Sequence, residues 1–541
     1  MERSETRSRK VFLSGVFFLT VSTVSVKIIG FLYKIPMLSY LGSEGMGYFH
    51  SAYEIYMLFC MIATAGLPVA LSVLVSGAAA KGDRDAVRKI YRTALWTFLF
   101  IGTVGSILMS VFAKSLCHWI RSEHAYGCMI AISPTVFFVC LSSALRGYFQ
   151  GFQKMLPTAL SQLLEAAGKL IFGVLFAKTA LENGAGTETV AAAAGWGLTL
   201  GSALSALWLC AEKQRFRKKE EDSYPSGSAE IQPPTDSSYP ELWRQLFLLS
   251  VPMTLGASLT GFTKLIDMTM ILRRLQDAGY TEALANTVYG SYTTLALSVY
   301  GLLPTLVNAV ALPLVPMLSA AIAEGDTQRQ TELLRLSLRL TTLFAVHAAL
   351  GIAACAEPIL TLLFGIAPDA VRIASPLLSA LGASVFFSCM ITCTNSVLHA
   401  HQIVNRPILA LLLGAAIKIP VAYLLIGNGG IGIMGAPLSS LACNLTIVLL
   451  NVSFCKKFLG EISAGEVFLR PLTASVAAVG ISYALYRFLA ARYGTGALLT
   501  VLILLMTVSC YLLCAFATGS VRREDLSVLS PGKRKKNNTG S

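Results

Sequence analysis

The chemistry of this sequence lies in charged side chains that interrupt apolar stretches. Lys27 and Lys34 stand seven residues apart in a segment that is otherwise apolar from Val11 to Leu41. Because seven residues make two helical turns, both ammonium groups are predicted on one face of a helix. A lysine at the centre of a membrane helix costs about 2.5 to 3.5 kcal/mol, and such residues usually face a protein interior or a water-filled cavity. The two lysines therefore indicate a cationic path, and the other reading is that their side chains extend to the lipid headgroups.

Further acids and bases follow at helical spacing. Glu54 lies in the second apolar segment, Glu165 and Lys169 stand at i,i+4, and Lys264 and Asp267 stand at i,i+3. These spacings place each acid on the same helix face as its base, where the two can pair. The pattern fits two readings, a structural ion pair and the lining of a cleft.

The elements that must position these residues are membrane helices. The chain has 541 residues, of which 55% are hydrophobic and only 13% charged, against about 25% charged in an average soluble domain. Its mean hydropathy is +0.65. The sequence predicts an all-α, polytopic membrane protein with 14 transmembrane helices of about 20 residues each. The predicted spans are 11–35, 46–75, 93–113, 126–145, 157–177, 190–210, 245–271, 288–320, 337–356, 371–397, 407–426, 434–454, 471–486 and 496–517.

An internal repeat organises these helices. The matching positions are Lys27 and Gly42 with Lys264 and Gly279, Gly82-Asp83 with Gly325-Asp326, and Gln153 and Pro157 with Gln402 and Pro407. A period of about 240 residues predicts two six-helix lobes in the same orientation, with a substrate site between them. The predicted divisions are an N-lobe at 1–210, a cytoplasmic linker at 211–241, a C-lobe at 242–456, and two C-terminal helices with a basic tail at 457–541.

The basic residues orient the bundle. Most of the 43 lysines and arginines fall on the side of the N-terminus, including the runs at 81–92, 213–219 and 533–536. The positive-inside rule then places both termini in the cytoplasm. The net charge of +14 is explained by this topology and calls for no nucleic-acid partner. The twelve cysteines show no disulfide or zinc spacing, and no metal site and no catalytic nucleophile with an associated base is indicated.

Several stretches together resemble a known family. They are Lys27–Pro36, Gly42–Tyr48, Ala65–Ser72, Leu145–Gly151, Pro157–Glu165 and Leu265–Asp267. In these motifs the chain is similar to the stage V sporulation protein B and YtgP-like polysaccharide biosynthesis proteins. That family belongs to the MOP exporter superfamily, beside the MurJ-type lipid II flippases and the MATE transporters. The resemblance covers about residues 11 to 515.

The resemblance implies a function and a site. A flippase of this family would carry an undecaprenyl-pyrophosphate-linked saccharide, such as lipid II or a related cell-wall precursor, outward across the bacterial plasma membrane by alternating access. It would use no cofactor, would be driven by a coupling ion or the membrane potential, and would meet membrane lipids and cell-wall synthases as partners. The cationic cavity would use Lys27, Lys34, Arg146, Lys169 and Lys264. Gln150 and Gln153 would hydrogen-bond the saccharide or cap their loop, and the second-half copy of the Arg146 motif has diverged.

Two other functions are open at this point. A MATE-like, ion-coupled antiporter for drugs or organic cations would share the fold. It is expected to need acids where this chain offers Lys27 and Lys34 with only Glu54 and Glu165. A membrane-embedded glycosyltransferase or polymerase would need a catalytic acid in a sizeable outer loop, and every predicted outer loop is short.

Overall fold

The computed structural model describes residues 2–222, 239–459, 465–494 and 496–519, and these residues form α-helices joined by short turns. The predicted all-α fold is confirmed. The helices are α1 (Glu2–Thr64), α2 (Leu67–Ala80), α3 (Arg84–Val111), α4 (Ala113–Ile120), α5 (Tyr126–Ile132), α6 (Thr135–Gly151), α7 (Met155–Glu182), α8 (Thr187–Asp222), α9 (Tyr239–Asp277), α10 (Glu282–Ser291), α11 (Leu297–Ala323), α12 (Thr327–Phe364), α13 (Pro368–Ala400), α14 (Asn405–Ile426), α15 (Gly435–Leu459), α16 (Arg470–Tyr493) and α17 (Ala497–Ala517).

The helix lengths confirm a multi-pass membrane protein. Among the described residues, 12 helical segments are long and apolar enough to cross a membrane. One of them, Val21–Met61, lies in α1 and contains a kink at Gly42, so it includes parts of two predicted spans. The apolar helix α11 adds 27 residues. The prediction of 14 spans is consistent with these helices.

The glycine-rich stretch after Leu41 is helical except at one residue. Only Gly42 leaves the helix, with φ 63° and ψ −178°, a conformation that is essentially restricted to glycine. Gly47 stays helical, and a Cβ atom there would overlap the backbone oxygen of Asn286 in α10. A Cβ on Gly290 would likewise overlap the backbone oxygen of Ser43. These glycines therefore let two helix backbones approach closely, instead of forming a loop.

Two compact units divide the chain. The first covers Met1–Thr294 and contains α1 to α10, and the second covers Leu295–Ser541 and contains α11 to α17. Helices α9 and α10 belong to the first unit because they pack against α1. This division of contacts differs from the predicted lobe boundary at 211–241, and the assignment of lobes by sequence repeat stays a prediction.

The predicted linker begins as a helix. Helix α8 continues to Asp222, because Phe216 is buried against Phe149 and Phe152 near the end of α6. Lys213 on the same extension lies over the ring of Tyr91, with Nζ 3.2 Å from the ring centroid. The remainder of the linker, at 223–238, and the basic tail, at 520–541, lie outside the described residues.

The internal repeat is visible in the backbone of two pairs of turns, with one member of each pair in each half. Gly82 and Gly325 have φ of 71° and 70°, and Gln153 and Gln402 have φ of 58° and 59°. The aspartate after each of these glycines accepts a hydrogen bond from a backbone N–H of the following helix, at 2.8 Å and 2.9 Å. Matching positions in the two halves therefore adopt the same local structure.

The second unit has polar contacts in its interior. Asn444 Nδ2 donates a hydrogen bond to the hydroxyl of Tyr300, at 2.9 Å. Tyr511 in α17 donates to the carbonyl oxygen of Leu343 in α12, at 2.7 Å, and its ring stacks on His347 with centroids 4.1 Å apart. The two contacts of Tyr511 attach the C-terminal helix α17 to α12.

Candidate functional site

A cavity of about 420 Å³ lies within the first unit. Its lining comes from α1, α6, α7 and α8, and includes three basic side chains and one acidic side chain. The lining residues are Thr23, Val26, Lys27, Gly30, Tyr33, Tyr53, Tyr56, Met57, Arg146, Gln162, Glu165, Ala166, Lys169 and Leu198. The structure therefore brings together four of the predicted site residues.

Arg146 is held by three hydrogen bonds in the cavity wall. Its Nε donates to Ser161 Oγ at 2.8 Å, and its Nη2 donates to Glu165 Oε2 at 2.8 Å and to Ser205 Oγ at 3.3 Å. The side chains of Arg146 and Glu165 are only 14% and 23% exposed. The i,i+4 spacing in the sequence allowed Glu165 to pair with Lys169 or to line a cleft with it. The carboxylate pairs with Arg146 instead, because the planar guanidinium reaches it while also bonding two serines.

Lys169 is surrounded by aromatic rings. Its Nζ lies 4.9 Å from the ring centroid of Tyr33, 5.6 Å from that of Phe49 and 4.6 Å from that of Tyr53. A cation within about 6 Å of an aromatic face is attracted by the ring quadrupole. We call Tyr33, Phe49 and Tyr53 the aromatic cage.

Small residues set the positions of the helices that carry this site. A Cβ atom on Gly201 in α8 would lie 2.6 Å from the backbone nitrogen of Lys169 in α7. A Cβ on Gly168 would lie 2.6 Å from the Cα of Gly201, so the two helices touch through their backbones. On the other side of α7, Ser22 Oγ of α1 donates to the carbonyl oxygen of Ala159, at 2.8 Å. The cavity wall is therefore built on close helix contacts.

A cluster of four further charged side chains lies in the same unit as the cavity. The carboxyl group of Glu54 interacts electrostatically with Lys264, Lys34 and Asp267. Lys34 in turn interacts with Lys169. Lys264 is exposed, whereas Lys34, Glu54 and Asp267 are partly buried. The structure therefore connects the charges of α1, α7 and α9.

Two predicted site residues lie elsewhere. Gln150 and Gln153 are not among the residues that line the cavity. Gln153 is exposed in the turn after α6, and its N–H donates to the carbonyl oxygen of Gln150 at 2.9 Å. Gln162 was missed by the sequence reasoning and does line the cavity. Gln162 lies one turn before Glu165 and therefore on the same helix face, so the i,i+3 spacing could have predicted its place in the lining.

The arrangement suits the binding of an anion with hydroxyl groups. Lys27, Arg146 and Lys169 supply positive charge, and Gln162 and Thr23 supply hydrogen-bonding groups at the cavity surface. Within the described ranges, no three side chains of His, Cys, Asp or Glu come together to hold a metal ion.

The helix arrangement matches a solved membrane transporter. A structure of the lipid II flippase MurJ in an inward closed conformation superposes with a TM-score of 0.70 at 15% sequence identity. The match covers 94% of this chain and 100% of that chain. The fold of this chain is therefore similar to the fold of that flippase structure.

The sequence comparisons identify the family. The chain belongs to the polysaccharide biosynthesis protein family, whose model matches residues 12–321. Stage V sporulation protein B of Bacillus subtilis (strain 168) is 25% identical, over 84% of this chain and 85% of that protein. Lipid II flippase MurJ of the same organism is 23% identical, over 77% and 79%. A MatE model also matches residues 289–424. The resemblance seen in the sequence motifs is confirmed.

Proposed function

We propose that this protein is a flippase that moves an undecaprenyl-pyrophosphate-linked saccharide outward across the bacterial plasma membrane by alternating access. The substrate would be lipid II or a related cell-wall precursor. The observation that carries this proposal is the cavity of the first unit, which sets three cationic side chains against one carboxylate. The name of one relative, a lipid II flippase, supports the same substrate class.

The charge of the cavity fits the head of such a lipid. A pyrophosphate carries about two negative charges, which hydrocarbon cannot solvate. Lys27 and Lys169 would attract these charges, while Arg146 is already shared with Glu165. The polyprenyl tail would stay in the bilayer, and Gln162 would hydrogen-bond hydroxyl groups of the saccharide.

The charged residues next to the cavity would also act on the substrate. Lys34 and Lys264 would extend the cationic surface, and Glu54 and Asp267 would limit its net charge or take part in ion coupling. With both termini in the cytoplasm, as the basic residues predict, the substrate would enter from the side where it is synthesised. Cell-wall synthases on the other side would consume it.

The test is the substitution of Lys27, measured by lipid II translocation in vesicles and by complementation of a flippase-depleted strain. Lys27→Ala should lower transport by about tenfold or more, because a hydrogen bond to a charged group contributes about 1.5 to 3 kcal/mol. Lys27→Arg should keep part of the activity, since the charge is retained in a different shape. Lys178→Ala is the matched control, since Lys178 is an exposed lysine of α7 that pairs with Glu182. Full transport by a normally expressed Lys27→Ala variant would contradict the proposal.

A MATE-like antiporter for organic cations is the second candidate. The match of the MatE model to residues 289–424 and the acids Glu54 and Asp267 favour it. This function predicts the opposite ranking, in which Glu54→Gln abolishes export of a cationic dye and Lys27→Ala is tolerated. The two rankings are measured with the same variants in the same vesicles.

A further inference from the structure

The aromatic cage lies around the ammonium of Lys169. The acid that precedes Lys169 by one helical turn is Glu165, and its carboxylate is bound to Arg146 at 2.8 Å. The ammonium of Lys169 lies instead within 5.6 Å of three ring centroids. Lys169 therefore has ring contacts at short range in addition to an electrostatic interaction with Glu165, whose carboxylate is bonded to Arg146.

This difference decides how much charge the cavity offers to a ligand. A carboxylate beside Lys169 would cancel its charge at short range, and a bound anion would then have to compete with it. Aromatic rings attract the cation through their quadrupole and leave its full charge in place. The Arg146–Glu165 pair and the cage therefore act together, because Glu165 shares its charge between Arg146 and Lys169 while the rings attract the ammonium without neutralising it.

The cage is built into the packing of α1 and α7. The rings of Phe49 and Tyr53 are stacked, with centroids 6.0 Å apart and planes at 15°, and Tyr33 lies 6.3 Å from Phe49. A Cβ atom on Gly173 would lie 3.0 Å from Cε2 of Tyr33, so this glycine makes room for the ring. Tyr33 and Phe49 are 3% and 2% exposed, which fixes their faces relative to Lys169.

A second cation lies within electrostatic range. Lys34 and Lys169 interact with each other as like charges, and this repulsion is relieved when an anion binds between or beside them. A ligand with two linked negative groups would gain most from such a pair of ammonium groups.

We propose that Tyr33, Phe49 and Tyr53 are positioning residues that hold Lys169 as a charged anchor for the diphosphate linkage of the substrate. This inference rests on the proposed function and adds a role for three aromatic residues. It predicts that the rings control affinity for the anionic group, and that they have no effect on affinity for the lipid tail.

The experiment compares two ligands on the full-length protein in nanodiscs. Undecaprenyl pyrophosphate carries the anion without a sugar, and undecaprenol carries the same tail without a charge. Tyr53→Leu removes the nearest ring, and should weaken binding of undecaprenyl pyrophosphate about tenfold while undecaprenol binds as before. Tyr53→Phe keeps the ring and should bind both ligands like the unmodified protein. Phe172→Leu is the matched control, since Phe172 lies on α7 beside Phe176.

Each result has a defined meaning. A loss confined to the pyrophosphate in Tyr53→Leu, with Tyr53→Phe unaffected, supports the cage. An equal loss for both ligands, an equal loss in Tyr53→Phe, or no loss in Tyr53→Leu overturns it. If the unmodified protein does not prefer the pyrophosphate over undecaprenol, the proposed function itself fails, and the two failures are therefore distinguishable.

Discussion

The ion pair between Arg146 and Glu165 allows a quantitative test of the cavity wall. Replacing Arg146 by Met removes the donors of three hydrogen bonds and leaves the Glu165 carboxylate in a site that is only 23% exposed. Removing one partner of a fully buried pair costs about 3 to 5 kcal/mol. Because this pair faces a cavity and is partly exposed, we expect a loss of about 3 kcal/mol for Arg146→Met.

A double-mutant cycle separates the pair from its surroundings. Arg146→Met, Glu165→Gln and the double variant are unfolded in mixed micelles, with intrinsic fluorescence as the readout. Hydrogen bonds between charged groups contribute about 1.5 to 3 kcal/mol, so the coupling energy should be about 2 kcal/mol. The exposed pair of Arg244 and Glu241, at 3.6 Å, is the matched control and should couple by less than about 1 kcal/mol.

Additive effects of the two substitutions would refute this reasoning. Additivity would mean that the contact at 2.8 Å contributes nothing beyond what each side chain contributes alone. It would also mean that bonding to Arg146 does not reduce the attraction between the Glu165 carboxylate and Lys169.

Three further predictions concern packing, backbone and topology. Gly201→Ala should lower the free energy of unfolding by about 1 to 3 kcal/mol, because the new Cβ meets backbone atoms of α7; Gly77→Ala, whose Cβ meets nothing within 4 Å, should be neutral or stabilising in the same unfolding assay. Gln153→Gly should raise the midpoint of thermal unfolding slightly and leave transport unchanged, because φ of 58° strains a residue with a side chain by about 1 kcal/mol; a loss of transport would instead place Gln153 at the substrate. A cysteine at Ser226 should resist membrane-impermeant reagents added to intact cells, and labelling from outside would reverse the predicted orientation.

The sequence predicts the helices and the motif-bearing charges well for a physical reason. An apolar segment of about 20 residues has few alternatives to a membrane helix, and a charge within it must face a protein interior or water. This reasoning singles out Lys27, Glu165 and Lys169, and the family resemblance adds Arg146. The structure brings these four residues together around one cavity.

The partners of those charges could not be predicted in the same way. Spacing on one helix favours Glu165 with Lys169, and nothing local shows that Arg146 from α6 takes the carboxylate. The rings that surround Lys169 come from residues of α1 that are far away in the sequence. Pairing across helices depends on the packing of whole helices, which a single sequence does not contain. Gln153 is exposed in the turn after α6 and is not among the residues that line the cavity, so of its two predicted roles the position fits a cap of the loop.

The matching turns at Gln153 and Gln402 show which positions correspond in the two halves of the chain. Gln153 and Gln402 follow their helices at equal distance and share the same left-handed backbone, so Arg146 corresponds to Asn395 in α13. Asn395 accepts a hydrogen bond from Asn451, at 2.8 Å, in place of an ion pair. The turn after the helix is therefore shared by the two halves, whereas the arginine that pairs with Glu165 in one half is an uncharged asparagine in the other. The backbone of these turns and the side chains of the preceding helices can therefore differ independently. Chimeras that exchange only the turn segments between the two halves should fold.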